Sequence, residues 1–250
     1  MWRPVYLQKG RRLEFGSALS EGCRGYLAVR GGFEVPLIMG SKSTYLRAEL
    51  GGFEGRALKK GDQIPVGEAV SCPYMKWMNK QITGSFWSSL WAISHPNYSF
   101  DGEVVEIRVT DGPQKEWFTE EAIQKFFEVP FEISGESDRM GYRLKGEPLA
   151  RLRSEDMISE AIGFGSIQVP PDGNPIILLA DRQTAGGYPK IGQVAKVDLP
   201  ILAQLLPGTM IRFRLISYNE AESLLVMSEL EMDKQKVAIQ YCQRENMMGN

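Results

Sequence analysis

The amino-acid sequence predicts a mainly β protein with a few short helices, and three observations carry the prediction. A glycine followed by apolar residues three and five positions later occurs three times: Gly10 with Leu13 and Phe15, Gly61 with Ile64 and Val66, Gly208 with Ile211 and Phe213. A spacing of two puts both apolar residues on one face of an extended strand, so each pattern reads as a tight turn entering a strand. Val105, Ile107 and Val109 alternate with Glu106 and Arg108, the signature of a half-buried strand. Ile176-Ile177-Leu178-Leu179 is a continuous apolar run of strand length, as expected where both faces are covered.

The remaining elements follow in chain order. Residues 26–29 read as a strand running into Gly31-Gly32. Residues 71–100, rich in tryptophan and polar side chains, read as a long surface excursion. Thr119 caps a helix whose Glu120 and Glu121 suit the positive end of the helix dipole. Ile123, Phe126 and Phe127 form its apolar face and Pro130 stops it. Asp198 is placed as the cap of a second short helix, with Pro200 in its first turn and Pro207-Gly208 at its end. Asn219 is placed as the cap of a third, carrying Ala221, Leu224 and Leu225. A division is expected around Thr110-Asp111-Gly112-Pro113. It separates an N-terminal β-rich part, 1–110, from a second domain, 111–231, followed by a loosely held polar tail, 232–250.

Composition narrows the function. With 43% hydrophobic and 24% charged residues the chain matches an ordinary globular protein. A net charge of −2 and a pI near 5.7 argue against a phosphate-neutralising nucleic-acid binder. Cys23, Cys72 and Cys242 are odd in number and far apart, which fits reduced thiols in the cytoplasm. The longest apolar run, five residues from Ile176 to Ala180, is far short of a membrane span. The N-terminus carries no apolar signal core.

Two segments concentrate chemistry. The first follows the buried run: Ala180-Asp181-Arg182-Gln183-Thr184-Ala185-Gly186-Gly187-Tyr188-Pro189-Lys190. It offers a carboxylate, a guanidinium, an amide, a hydroxyl and a glycine pair on one loop leaving a strand, where rigid scaffolds present functional groups. An arginine fork fits carboxylate or phosphate. Gly186-Gly187 lets backbone N–H groups approach an anion. The second, Ser137-Asp138-Arg139-Met140-Gly141-Tyr142-Arg143-Leu144, repeats Asp-Arg followed by glycine and tyrosine. Alone, the first segment is equally a hairpin or Ω-loop closed by its own Asp181–Arg182 network, and the second reads as a charged turn between strands; together they are expected to converge on one anionic ligand. Arg139 and Arg182 are expected to face a common pocket.

Other signals are weak. His95 is the single histidine, so a histidine metal site is nearly excluded. Gly163-Phe164-Gly165-Ser166 lacks the remainder of a dinucleotide loop, and no P-loop or nucleophile elbow is present. Met75-Lys76-Trp77 lacks the second methionine of a biotin acceptor, and the Asn97-Tyr98-Ser99 sequon means little in a cytosolic chain.

The longer motifs resemble a known family. The block Gln168-Val169-Pro170-Pro171-Asp172-Gly173-Asn174-Pro175, continuing through the buried run to Tyr188-Pro189, is similar to the signature of the allophanate hydrolase subunit 2 family. That family is also known as the biotin-dependent carboxyltransferase, KipA or 5-oxoprolinase C-type family. Ser137 to Leu144, and Gly25-Tyr26-Leu27-Ala28-Val29-Arg30-Gly31-Gly32-Phe33 with Gly40-Ser41-Lys42-Ser43-Thr44, resemble two further blocks. Members of the family are usually longer at the N-terminus, so a preceding segment is expected to be missing.

The resemblance implies a cyclophilin-like β-barrel in the second half, preceded by a smaller β-rich subdomain. It implies a B-type or KipI-like partner and an A-type partner, while the charge and the short apolar runs point to no nucleic-acid or membrane partner. Apolar surface left uncovered by the missing segment suggests association with the KipI-like partner or with itself. The implied activity is ATP-dependent opening of 5-oxo-L-proline to L-glutamate, with ATP shared among subunits. Asp181 and Arg182 are then the catalytic candidates. Arg139, Arg143, Gln168, Gln183, Thr184, Gly186, Gly187, Tyr188 and Lys190 are the substrate-binding candidates, and no metal is expected. Two alternatives stay open: the carboxyltransferase half of a urea carboxylase, which needs biotin on a separate carrier, and a KipA-like regulator that antagonises a KipI-like kinase inhibitor.

Overall fold

The computed structural model describes residues 2–16, 22–70, 73–82, 84–93, 104–153 and 157–248. Its chain forms two compact units. Residues 1–12, 25–93 and 239–250 make the first, and residues 13–24 and 94–238 the second. His95, Cys72 and the 97–99 sequon lie outside the described residues.

In the first unit, β1 (Val5–Leu7) pairs antiparallel with β2 (Phe86–Ser88), and α1 (Pro73–Gln81) precedes β2. The tryptophan-rich stretch expected as a surface excursion thus contributes a helix and a strand. Tyr74 and Met78 of α1 are buried, Tyr74 stacks on Trp77 at 5.5 Å, and Trp77 meets Trp87 edge-on at 5.9 Å. Aromatic rings spaced one helical turn apart made this face an apolar one despite its polar neighbours. Residues 26–29 form no strand. They lead into Gly31 and Gly32, both at positive φ, where a Cβ on Gly31 would overlap the Gly67 carbonyl.

The second unit is a closed barrel. Its strands are β3 (Val105–Asp111), β4 (Phe131–Ile133), β5 (Gly141–Lys145), β7 (Ser166–Gln168), β8 (Ile176–Leu178), β10 (Lys190–Val194) and β11 (Met210–Leu215). Around the barrel the order is β10-β3-β11-β4-β5-β8-β7. Every neighbouring pair is antiparallel except β3 and β11. A two-stranded ribbon of β6 (Glu160–Ala161) and β9 (Ala185–Gly186) accompanies it. The division expected at 110–111 meets the end of β3, whose ladder to β10 extends to Asp111.

Alternation fills the barrel. Ile107 and Val109 of β3, Phe131 and Ile133 of β4, Leu144 of β5 and Ile211 and Phe213 of β11 are fully buried, while Arg212 and Arg214 face out. Ile177, Leu178 and Leu179 are buried, as a strand covered on both faces requires. α2 (Glu120–Glu128) begins at Thr119, whose hydroxyl accepts from the Ala122 N–H at 3.1 Å. It lays Phe126 onto Phe213 at 4.5 Å between ring centres.

The other two helices correct the sequence reading. α3 (Leu199–Leu202) carries Pro200 in its first turn, but Asp198 makes no side-chain cap. Its carboxylate is 1% exposed and pairs instead with Arg108 of β3, accepting from the Arg108 backbone N–H at 2.7 Å and from Nε at 3.0 Å. α4 (Tyr218–Met248) is 31 residues long, so neither the short third helix nor the loose tail from 232 holds. Ser217 rather than Asn219 caps it, its hydroxyl accepting from the Glu220 N–H at 3.1 Å. No helix is long and apolar enough to cross a membrane among the described residues.

Candidate functional site

Antiparallel pairing of β5 with β8 decides where the two Asp-Arg segments meet. Gly141, the first residue of β5, pairs with Leu178, the last of β8. The loop entering one strand therefore lies beside the loop leaving the other. The ladder continues into both loops: the Leu179 N–H donates to Met140 O at 2.8 Å and the Asp181 N–H to Arg139 O at 2.9 Å.

At this barrel end the side chains close a two-point contact. Arg139 Nε stands 3.0 Å from Asp181 Oδ2, and Nη2 stands 3.2 Å from Oδ1. Asp138 faces inward on its own turn, with Oδ1 accepting from the N–H groups of Met140 at 2.8 Å and Gly141 at 3.2 Å. Short polar side chains favour such turns by satisfying backbone donors locally.

Arg182 bonds to carbonyls instead of to a carboxylate. Its Nε donates to Ile162 O at 3.3 Å and its Nη1 to Leu179 O at 3.4 Å, which ties the loop to the ribbon and to the end of β8. Arg143 sits in mid-strand on the outer face of β5, exposed, with no side-chain partner among the described residues. Gln183 and Thr184 are exposed, and the Thr184 carbonyl accepts from the Ile162 N–H at 3.1 Å.

The glycine pair serves close packing. Gln168 is buried and its Nε2 donates to Tyr188 O at 3.2 Å. A Cβ on Gly186 would stand 2.8 Å from that Nε2, so a larger residue would push Gln168 off the loop. A Cβ on Gly187 would stand 3.0 Å from Met157 O. Tyr188 is exposed. Lys190 is engaged: its Nζ lies 2.6 Å from Glu160 Oε1, and that same oxygen accepts from Gln114 Nε2 at 2.8 Å. The Lys190 contact, with Gln114 adding to it, holds the Glu160 carboxyl below its ordinary range.

The residues around the site include several with no local signal. Tyr142, inside the second motif, donates its hydroxyl to Leu205 O at 3.1 Å and accepts from Arg24 Nη1 at 3.0 Å. Burial pushes its phenol up, against the opposing pull of Arg24. Gln204 clasps the same segment, with Oε1 accepting from the N–H groups of Cys23 and Arg24 at 3.1 and 2.9 Å. Arg24 and Tyr142 are 118 positions apart, a distance at which spacing carries no information.

Chemically, the barrel end presents one guanidinium locked by a carboxylate, one spent on carbonyls, and one open on a strand. Asp181 fixes the orientation of the Arg139 fork, which stays open to solvent. With Nε and Nη2 on Asp181, the Nη1 side of the Arg139 guanidinium is left to offer to a small anion.

Comparison with known proteins follows the same lines. A family model described as carboxyltransferase domain, subdomain A and B, matches residues 1–215. The C subunit of 5-oxoprolinase from Escherichia coli (strain K12) is 37% identical over 88% of this chain, and that from Haemophilus influenzae 38% over 93%. The chain spans 64% and 68% of the length of those two proteins. The urea amidolyase of Saccharomyces cerevisiae is 30% identical over 89% of this chain, which spans 12% of it. Among solved structures, the urea amidolyase of K. lactis superimposes with a TM-score of 0.70 at 28% identity, over 87% of this chain and 13% of that one. With residues 1–215 of its 250 matched by that model, the chain belongs to the carboxyltransferase domain, subdomain A and B, family.

Proposed function

We propose that this chain is the C-type component of a cytoplasmic, ATP-dependent 5-oxoprolinase, which opens 5-oxo-L-proline to L-glutamate together with A-type and B-type subunits. The observation that carries the reading is the similarity to two bacterial proteins named as the C subunit of 5-oxoprolinase. The barrel-end geometry supports it. A five-membered lactam bearing a carboxylate is a small planar anion, and the Arg139 fork held by Asp181 is a small-anion receptor.

In this reading Arg139 and Arg143 take the substrate carboxylate, with Gln183, Thr184 and Tyr188 at the exposed rim. Asp181 sets the Arg139 fork in the plane it must occupy. Arg182 is a positioning residue: it holds the loop through the carbonyls of Ile162 and Leu179. Lactam opening develops negative charge on the carbonyl oxygen, and donors fixed in advance lower that barrier most.

ATP supplies phosphoryl activation of the amide when it is bound in the assembly. The motif loops of this chain do not fit its triphosphate. Lys190 already faces a carboxylate, Arg182 faces carbonyls, and Gly186 is paired to β6 in the ribbon. ATP is therefore assigned to the partner subunits.

The yeast urea amidolyases and the structural likeness to one of them favour a second reading, the carboxyltransferase half of a urea carboxylase. Stimulated ATP hydrolysis separates the two. With its A and B partners, the chain is expected to support ATP hydrolysis stimulated by 5-oxoproline and indifferent to urea. Stimulation by urea, in the presence of a biotin carboxylase, its biotinylated carrier and bicarbonate, would favour the second reading over the first.

A further inference from the structure

Helix α4 is 31 residues long; Ala221, Leu224, Leu225 and Ile239 on one side are half-buried, and none of its described residues is fully buried. Helices take most of their stability from packing an apolar face, and propensity alone leaves them marginal. An apolar face is present. Val226, Met227, Leu230 and Val237 fall at spacings of one, three and seven, on one side of the helix, and are 52 to 66% exposed. The helix also lies beyond residues 1–215, the part matched by the family model.

Charge says what covers the face. Residues 218–233 hold Glu220, Glu222, Glu229, Glu231 and Asp233 and no basic residue. Residues 234–248 hold Lys234, Lys236 and Arg244 against a single acidic residue, Glu245. A parallel copy of the helix would set acid on acid. An antiparallel copy sets the acidic half on the basic half at both ends, as two-fold symmetry requires of a self-complementary contact. Flanking opposite charges of this kind fix orientation and partner in paired helices.

We propose that α4 is the isologous, antiparallel contact of a homodimer, with Val226, Met227, Leu230 and Val237 at its seam. A partner of different sequence would need its own matching charge reversal, whereas a second copy of this chain carries it by construction. The contact is independent of the barrel end and of the reaction assigned to it.

Sedimentation velocity on the full chain tests the proposal across the micromolar range. The expected species is twice the 28.1 kDa protomer. Two charge variants are decisive. Lys234→Glu/Lys236→Glu makes the helix acidic along its described length but for Arg244. Glu229→Lys/Glu231→Lys/Asp233→Lys makes its centre basic. Each alone is expected to sediment as a protomer with near-ultraviolet circular dichroism unchanged, and an equal mixture to recover the dimer. Leu230→Glu is expected to weaken self-association at least about tenfold, as loss of a central apolar anchor does. A wild-type protomer at every concentration would overturn the proposal, as would a dimer that none of these substitutions disturbs. A wild-type protomer that pairs through α4 with the B-type partner would also overturn it.

Discussion

Arg139, in the loop entering β5, and Asp181, in the loop leaving β8, meet through two contacts of 3.0 and 3.2 Å at one end of the barrel. The pair is 59% and 26% exposed, so it does little for stability; exposed ion pairs contribute about 0–1 kcal/mol. Its worth lies in orientation. Asp181→Asn is expected to leave the unfolding midpoint nearly unchanged while raising KM for 5-oxoproline in the reconstituted complex. Arg139→Ala is expected to lower kcat/KM at least about tenfold, one decade being about 1.4 kcal/mol. Steady-state kinetics with urea unfolding as the control checks both. An unchanged kcat/KM in Arg139→Ala makes the pair structural.

The Arg108–Asp198 contact behaves differently, because its carboxylate is buried. Asp198→Ala leaves the Arg108 guanidinium facing a void and strands its backbone N–H, which is bound at 2.7 Å in the native fold. Breaking a buried pair costs about 3–5 kcal/mol, toward the lower end where the cation is part-exposed. Chemical denaturation of Asp198→Ala against Asp181→Asn measures the contrast. Equal midpoints in the two variants would contradict it.

Two glycines with the same φ give a controlled comparison. Gly10 and Gly31 both stand at +84°, but a Cβ at Gly10 meets nothing within 4 Å while one at Gly31 overlaps the Gly67 carbonyl. Alanine at position 10 is expected to cost about 1–2 kcal/mol, the left-handed penalty alone. Alanine at position 31 must move the backbone as well and should cost clearly more. Thermal melts of the two variants decide the matter, and a smaller loss at position 31 would refute the packing argument.

Asp62 supplies a pH prediction. Two hydrogen bonds from Arg56, at 2.8 and 3.0 Å, and one from the Lys59 N–H at 2.7 Å lower its carboxyl from 3.8 to about 2. A carboxyl whose folded value is depressed stabilises the fold fully above its ordinary value, and that stabilisation is lost as pH falls through the folded value. The loop 56–62 should therefore stay ordered above the ordinary value of 3.8 and release between there and about 2. Carboxyl carbon NMR follows it directly. In Arg56→Ala the midpoint should move up toward 3.8.

What the sequence disclosed divides by range. Thr119 was legible as a cap because its partner, Ala122, is three residues away. Asp198 was misread because the local rule for caps competed with Arg108, 90 positions earlier. All three turn glycines, Gly10, Gly61 and Gly208, adopt positive φ, but only the last feeds a named strand. A turn is a local event, whereas a strand needs a partner the sequence does not reveal. α4 escaped because its apolar residues are broken up by charge, and the segregation of acid from base reads as a polar tail until the backbone is known to be helical. At the candidate site the repeated Asp-Arg pointed to both segments. Long-range strand pairing, β5 with β8 and β6 with β9, put Arg139 against Asp181, Arg182 against carbonyls and Lys190 against Glu160.

Release of glutamate from 5-oxo-L-proline by the A and B partners, with and without this chain, tests the central claim most directly. With ATP present, the three-component mixture is expected to form glutamate, and omission of this chain or of ATP to abolish it. Glutamate formation by A and B alone at the same rate would contradict the account, as would a folded chain that never supports turnover with A-type and B-type partners.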